Sequence, residues 1–130
     1  MEPLIFDTTF LIDFHRERKQ GGGRTHDFLE ENRECLALLP IVVFGEFREG
    51  FDSPDDPVFL SVVESFEILP VGRRVAEIYG SEVRRLRRAG KLIGTNDLWI
   101  AATALGEPAP LVTRNLDHFS RIKGLQLRGY

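Results

Sequence analysis

The 130 residues are 42% hydrophobic and 28% charged, a balance that suits one globular domain with its own core and excludes a disordered chain. The formal net charge of -3 argues against nucleic-acid binding by bulk charge, so only a local basic surface could serve that purpose. The single cysteine, Cys35, excludes an internal disulfide, and we expect it to be a small buried residue. Since there is no membrane-length apolar run and no basic leader before the first strand, we expect a cytoplasmic protein with a single domain over residues 1–130.

An acidic residue ends the first apolar segment, which is an unusual position for a charge. Residues 4–6 are Leu-Ile-Phe, typical of a parallel strand buried on both faces, and Asp7 follows directly. In open α/β sheets, ligands bind beyond the carboxyl ends of the strands, which makes Asp7 a candidate site residue. An equal alternative is that Asp7 caps the next helix.

Strand and helix patterns alternate along the rest of the chain. A helix follows Asp7 directly, and the triplet Gly21-Gly22-Gly23 then predicts a mobile connection. The further predicted elements are, in order, helix 27–34, strand 35–39, helix 41–48, helix 58–66, strand 67–71, helix 73–88, helix 98–105 opened by 94–97, strand 110–113 and edge strand 125–128. This alternation favours a three-layer α/β/α sandwich with a mainly parallel sheet.

Other polar residues could share a crevice with Asp7. Winding residues 41–48 as a helix places Glu46 on the inner side, where a carboxylate needs a metal or a hydrogen-bond partner, although a short helix end without a clean face would also explain it. Asp97 opens a helix that is apolar nearly all round, where it also suits the helix dipole. Asn115 and Asp117 lie in the polar turn after the strand over 110–113.

Converging carboxylates without basic neighbours repel one another unless a divalent cation is present. Oxygen ligands suit Mg²⁺ or Mn²⁺ rather than zinc. Two such ions suit phosphodiester hydrolysis, because one activates a water and the other stabilises the leaving oxygen. The acidic residues therefore favour a metal-dependent hydrolase of phosphodiesters.

The helix over 73–88 carries the one pronounced basic surface of the chain. Only Glu77 and Glu82 oppose its arginines, and Lys91 extends the surface. The arginines are Arg73, Arg74, Arg84, Arg85, Arg87 and Arg88. This surface could meet a phosphate backbone, although a solvated helix face with cations near its C-terminus is at least as good an explanation.

Four segments in order resemble the PIN-domain ribonucleases, particularly the VapC-type toxins of bacterial and archaeal toxin-antitoxin pairs. They are Ile5 to Asp13, Glu46 just ahead of Gly50, Asn96 to Ala104, and Leu111 to Asn115, and the resemblance covers nearly the full chain. It implies a metal-dependent endoribonuclease in which Asp7, Glu46 and Asp97 carry Mg²⁺ or Mn²⁺. It also implies that the hydroxyl of Thr9 supports this site.

The sequence departs from the family pattern at the last acidic residue. The family places that acid three residues after the asparagine and directly before the phenylalanine, where this chain has His118. Asp117 could substitute as the fourth metal ligand, Asn115 could be the polar group that matters, or three acids could suffice. Asp13 also resembles a common family residue, and we expect it to be structural.

The resemblance further implies partners for the protein. They are an RNA substrate, a small VapB-like antitoxin whose tail covers the acidic crevice, and a second copy in a homodimer. The residues that would hold the RNA backbone are Arg84, Arg85, Arg88 and Lys91. Two alternatives are an inactive PIN-fold binding scaffold and a receiver-like Mg²⁺-binding signalling domain. The receiver-like interpretation fits worse, because such a domain needs a lysine where Arg114 follows Thr113.

Overall fold

Five parallel strands form a single sheet in the computed structural model, which describes residues 1–130. The strands are β1 (Pro3–Phe6), β2 (Leu36–Pro40), β3 (Glu67–Leu69), β4 (Leu111–Val112) and β5 (Leu127–Arg128). Their order across the sheet is β3-β2-β1-β4-β5, and every neighbouring pair is parallel. In the central strand, Ile5 lies opposite Leu38 on one side and Leu111 on the other. The predicted parallel sheet is confirmed.

Seven helices connect the strands. They are α1 (Thr8–Arg18), α2 (Arg24–Glu31), α3 (Ile41–Arg48), α4 (Pro57–Val63), α5 (Arg73–Ala89), α6 (Thr95–Gly106) and α7 (Leu116–Phe119). The chain moves from β1 towards one edge of the sheet and then returns to β4 and the other edge. Connections between parallel strands are right-handed, so the direction of travel along the sheet decides which face a helix covers. The helices α1 to α4 therefore lie on one face and α5 to α7 on the other. Together with the sheet they form the predicted three layers.

The core lies on both sides of β1. Leu4, Ile5 and Phe6 are each at most 1% exposed, as expected for the middle strand of a covered sheet. On the α1 and α2 side, the ring of Phe6 packs edge-on against Phe10 at 4.6 Å and Phe28 at 6.0 Å between centroids. This packing fixes the start of α1 against the end of β1. None of the helices has both the length and the apolar character needed to cross a membrane.

Several predicted boundaries were wrong by a few residues. Helix α2 spans Arg24–Glu31 rather than 27–34. It starts early because Glu17 of α1 accepts hydrogen bonds from the backbone N–H and the hydroxyl of Thr25, both at 3.0 Å. The preceding turn uses positive φ angles of 84° at Gly21 and 126° at Gly22, which suit glycine.

Two other expectations also need correction. Cys35 is only partly buried and lies just before β2 rather than inside it. The polar turn after β4 contains the one-turn helix α7, which was not predicted. This helix turns the buried side chain of Phe119 inward.

Candidate active site

The candidate site lies where the direction of the chain across the sheet reverses. Asp7 directly follows β1, and Thr113 directly follows its parallel neighbour β4. The connection after β1 leads to one edge of the sheet, whereas the connection after β4 leads to the other. Such a switch point opens a crevice at the carboxyl ends of the strands, which is where ligands bind in open α/β sheets.

Asp7 is the most buried acid at this crevice, with only 3% of its surface exposed. Its Oδ1 accepts hydrogen bonds from the Thr9 hydroxyl at 2.7 Å and from the Phe10 N–H at 3.1 Å. Its Oδ2 accepts a hydrogen bond from the Thr113 hydroxyl at 2.5 Å. Asp7 therefore caps α1, and it does so from the carboxyl end of β1, so capping and a role in the site are compatible.

The electrostatic environment of Asp7 disfavours its charge. Burial raises the pKa of the Asp7 carboxyl, and the carboxylate of Asp97 raises it further. Hydrogen bonds from Thr113, Thr9 and the Phe10 N–H act in the opposite direction but do not cancel the effect of burial. Two acids that come from opposite ends of the sequence are thus close enough in the fold to repel each other.

Glu46 is linked to both of these acids through their sequence neighbours. It lies on α3 and is half-buried. Its Oε1 accepts a hydrogen bond from the Thr8 hydroxyl at 2.6 Å, and its Oε2 accepts one from the Asn96 amide at 3.3 Å. The inward position expected for this carboxylate, with polar partners, is the one observed.

Asp97 and His118 form the open side of the crevice. Asp97 lies in the first turn of α6, and its Oδ2 is 2.8 Å from Nε2 of His118. Both side chains are about one-third exposed, at 38% and 34%. His118 therefore occupies the place next to Asp97 where the family pattern leads us to expect an acid.

The other two candidates for the fourth position do not join this group. Asp117 is exposed, and its side chain makes no hydrogen bond or ion pair; only its backbone carbonyl accepts a bond, at 2.6 Å from the Ser120 hydroxyl. Asn115 is also exposed, and it contributes its backbone N–H, which donates to Thr113 Oγ1 at 3.0 Å. The structure thus places Asp7, Glu46 and Asp97 in one region, linked through neighbouring residues, and leaves Asp117 outside these links.

The donor chemistry of the three acids fits Mg²⁺ or Mn²⁺. Asp7 and Glu46 have hydroxyl, amide and backbone donors and form no ion pair with Lys or Arg, and Asp97 contacts the imidazole of His118. Carboxylate oxygens of this kind are ligands that suit these ions. In the present side-chain arrangement, no three His, Cys, Asp or Glu residues are positioned to hold a metal ion together. Each acid is instead held by a protein donor.

The predicted basic surface is present on α5. Arg84, Arg88 and Lys91 are exposed and form no ion pair. Arg85 differs, because it pairs with Glu82 at 2.6 Å and donates to the backbone carbonyl of Arg121 at 3.1 Å. That contact places the C-terminal half of α5 beside the segment that follows α7.

Four residues of the site were given no role in it by sequence reasoning, although His118 was named as standing in the place of the expected acid. They are Thr8, Asn96, Thr113 and His118, each of which hydrogen-bonds to one of the three acids. Thr113 had a detectable signal, because it ends the strand whose following turn was expected to share a crevice with Asp7. The only sequence signal for Thr8 and Asn96 is that they are adjacent to Asp7 and Asp97. That signal does not reveal that both side chains donate hydrogen bonds to Glu46.

Known proteins similar to this chain share its length and its fold. The sequence profile of the PIN domain matches residues 4–125. Ribonuclease VapC1 of Methanocaldococcus jannaschii is 31% identical over 129 residues, which cover 98% of this chain and 86% of that protein. Ribonuclease VapC1 of Haemophilus influenzae is 38% identical over 128 residues, which cover 94% of this chain and 93% of that protein. A chain in the crystal structure of VapBC2 from Rickettsia felis, bound to a DNA fragment from their promoter, superposes with a TM-score of 0.84 at 25% identity and covers 98% of both chains. The chain therefore belongs to the PIN domain family, among its VapC-type members.

Proposed function

We propose that this protein is an endoribonuclease toxin that hydrolyses RNA phosphodiester bonds with the help of Mg²⁺ or Mn²⁺. The observation that carries the proposal is the linked group of Asp7, Glu46 and Asp97 at the switch point of the sheet. It is supported by relatives that are named ribonucleases and match almost the whole chain. Membership of the PIN domain family leaves the receiver-like interpretation without support.

The three acids have the same role in this proposal, which is to hold the divalent ion. A bound ion supplies charge neutralisation at the phosphodiester and lowers the pKa of the attacking water. The surrounding donors keep the acids in place: Thr9 and Thr113 hold the two oxygens of Asp7. His118 holds Asp97. Asp117 is given no ligand role in this proposal, because its side chain makes no hydrogen bond or ion pair with the group around the three acids.

The protein partner follows from the names of its structural relatives. Solved structures similar to this chain include VapBC from Salmonella typhimurium bound to DNA, at a TM-score of 0.83 and 25% identity. We propose that a VapB-like antitoxin neutralises this protein by covering the acidic crevice. The homodimer implied by the family resemblance stays a prediction. RNA binding by Arg84, Arg85, Arg88 and Lys91 also stays a prediction.

The test is cleavage of total cellular RNA by the purified, antitoxin-free protein. We expect discrete fragments with Mg²⁺ or Mn²⁺, none with EDTA, and a loss of more than about 100-fold in Asp97→Asn, since removing even a hydrogen-bond partner of a metal ligand costs about 10- to 100-fold. The matched control is Asp52→Asn, because Asp52 is an exposed loop acid without a hydrogen bond to its side chain and its replacement should leave cleavage unchanged.

The result that would overturn the proposal is a folded protein that binds Mn²⁺ but produces no Asp97-dependent fragments. That outcome would favour the alternative of an inactive scaffold with the PIN fold. Equal loss of cleavage in Asp97→Asn and Asp52→Asn would also contradict it, because it would show a general sensitivity to charge rather than a role for the crevice.

A further inference from the structure

Two arginines share one buried carboxylate beside the candidate active site. Asp13 lies on α1 and is 4% exposed. Arg114 contacts both of its oxygens through Nη1, at 2.7 and 2.9 Å, and Arg16 contacts Oδ1 through Nη2 at 2.5 Å. The Tyr130 hydroxyl donates a further hydrogen bond to Oδ2 at 2.7 Å. With two guanidinium groups against one carboxylate, the cluster carries an excess positive charge.

Both arginines keep donors for another ligand. Their side chains are 58% and 53% exposed, respectively for Arg16 and Arg114. Each uses a single nitrogen for Asp13, and no other acceptor in the chain receives a hydrogen bond from their remaining N–H groups. A guanidinium has five donors in a planar fork that matches the oxygens of a phosphate. The shared carboxylate fixes the two forks in position and leaves their other edges open.

The cluster is connected directly to the acids of the crevice. Arg114 follows Thr113, which donates to Asp7. The backbone N–H of Arg114 donates to Thr9 Oγ1 at 3.4 Å, and Thr9 in turn donates to Asp7. Along the axis of α1, Asp13 is six residues from Asp7, which is about 9 Å at a rise of 1.5 Å per residue. A phosphate at the arginines would therefore flank the phosphodiester at the acids rather than coincide with it.

We propose that Arg16 and Arg114, held by Asp13, bind a phosphate of the RNA backbone that flanks the bond being hydrolysed. The inference rests on the proposed ribonuclease function and adds a second phosphate subsite to it. An acidic centre in a chain of net charge -3 repels RNA, so cations at a fixed distance from that centre are needed to set the register of the strand. One guanidinium would be enough to neutralise the Asp13 carboxylate, so the second arginine supplies a positive charge that Asp13 does not need.

The experiment measures the salt dependence of RNA binding in an inactive background. A short, labelled single-stranded RNA is titrated against Asp97→Asn at several NaCl concentrations, with Arg16→Gln and Arg114→Gln added singly and together. Each phosphate that the protein neutralises contributes about 0.7 to the slope of log K against log salt. Because the two arginines share one phosphate, we expect the double change to lower the slope by about 0.7 and each single change to lower it by part of that amount. The affinity at moderate salt should fall about three- to tenfold.

The matched control is Arg33→Gln, because Arg33 also forms an i, i+3 pair with an acid, Glu30, at 3.0 Å, but lies on the surface after α2. Its slope should not change. Arg114→Lys keeps the charge but not the fork, so it should retain the slope and lose affinity, which a merely structural role would not predict.

An unchanged slope in the folded double variant overturns the inference. If that variant does not fold, Arg16→Gln decides the question, because it leaves Arg114 on Asp13. The two proposals can fail separately. Asp97-dependent cleavage by the unaltered protein, together with unchanged slopes, rejects only the phosphate subsite. Reduced slopes without any cleavage reject the nuclease and retain a site for RNA phosphate.

Discussion

Asp7 has two tasks that make opposite demands on its environment. As the cap of α1 it must lie against the helix N-terminus, where three donors hold it, and this position is nearly inaccessible to water. As a proposed metal ligand it must carry a charge, which burial disfavours. A residue of this kind is expected to cost stability in the metal-free protein, as functional residues often do.

We therefore predict that Asp7→Asn stabilises the metal-free protein at neutral pH. The pKa of Asp7 is raised above its ordinary value of 3.8, so the folded state favours the neutral carboxyl. The neutral carboxyl therefore contributes its full stability below pH 3.8. That contribution is lost as the pH rises through the higher pKa of Asp7 in the folded state. An amide of the same shape stays neutral. It should be more stable by about 1 kcal/mol at pH 7, or about 4 °C in Tm.

Thermal unfolding in EDTA between pH 4 and pH 7 measures this difference. The gap between Asp7→Asn and the unaltered protein should narrow towards pH 4. Asp52→Asn, which replaces an exposed acid, serves as the control and should follow the unaltered protein at every pH. A less stable Asp7→Asn at pH 7 would mean that the three hydrogen bonds to the carboxylate outweigh the burial of its charge.

His118 holds the position where the PIN pattern places its last acid. Its contact with Asp97 puts an imidazole, rather than a fourth carboxylate, at the open side of the crevice. We predict that His118→Asp strengthens Mg²⁺ binding by about tenfold or about 1.4 kcal/mol, because it adds both an oxygen ligand and a negative charge. Metal-induced stabilisation against heat, measured over a range of Mg²⁺ concentrations, reports the affinity.

The Asp117→Asn variant, measured in the same assay, shows whether Asp117 or the neighbouring His118 occupies the fourth position of the metal site. Because the Asp117 side chain is exposed and contacts none of the three acids, its replacement should leave Mg²⁺ binding unchanged. A loss of binding in Asp117→Asn, with no gain in His118→Asp, would show that α7 rearranges to bring Asp117 to the metal.

At the scale of elements, strands were easier to predict than helix ends. The run of Leu4 to Phe6 is apolar on both faces because β1 is covered on both faces, so its pattern alone is sufficient. The start of α2 depends on Glu17, which reaches Thr25 from another helix, and no local pattern contains that contact. A β-carbon at Gly23 would collide with this same glutamate side chain, which explains the glycine directly before α2.

The candidate site shows the same division between local and tertiary information. The position after a strand was enough to select Asp7. The order of the four segments was enough to identify the PIN family, and membership of that family is confirmed. The partners Thr8, Asn96 and His118 depend on which side chains meet across elements, and spacing does not specify this. Position and pattern therefore located the acids and the resemblance grouped them, whereas the fold was needed to show that His118 rather than Asp117 lies beside Asp97.

At the scale of the whole molecule, charge is divided between two regions. The chain is acidic overall, with three acids at the crevice, yet α5 exposes an arginine-rich face whose C-terminal half reaches the segment after α7. Arg85 is tied down there by Glu82 and by the carbonyl of Arg121. Arg84 and Arg88 have no such partners and stay available for a phosphate backbone.

We predict that replacing Arg84 and Arg88 together by alanine weakens RNA binding about three- to tenfold at moderate salt and lowers the salt slope by about 1.4, because two phosphate contacts are lost. Metal-induced thermal stabilisation should not change, since neither residue contacts the three acids. The control is Arg73→Ala with Arg74→Ala, which removes the same charge from the other end of α5, more than about 15 Å from Arg84 and Arg88 on average. Equal weakening in both double variants would mean that RNA responds to net charge alone. Weakening in Arg84→Ala, Arg88→Ala only would place the RNA path across the C-terminal end of α5.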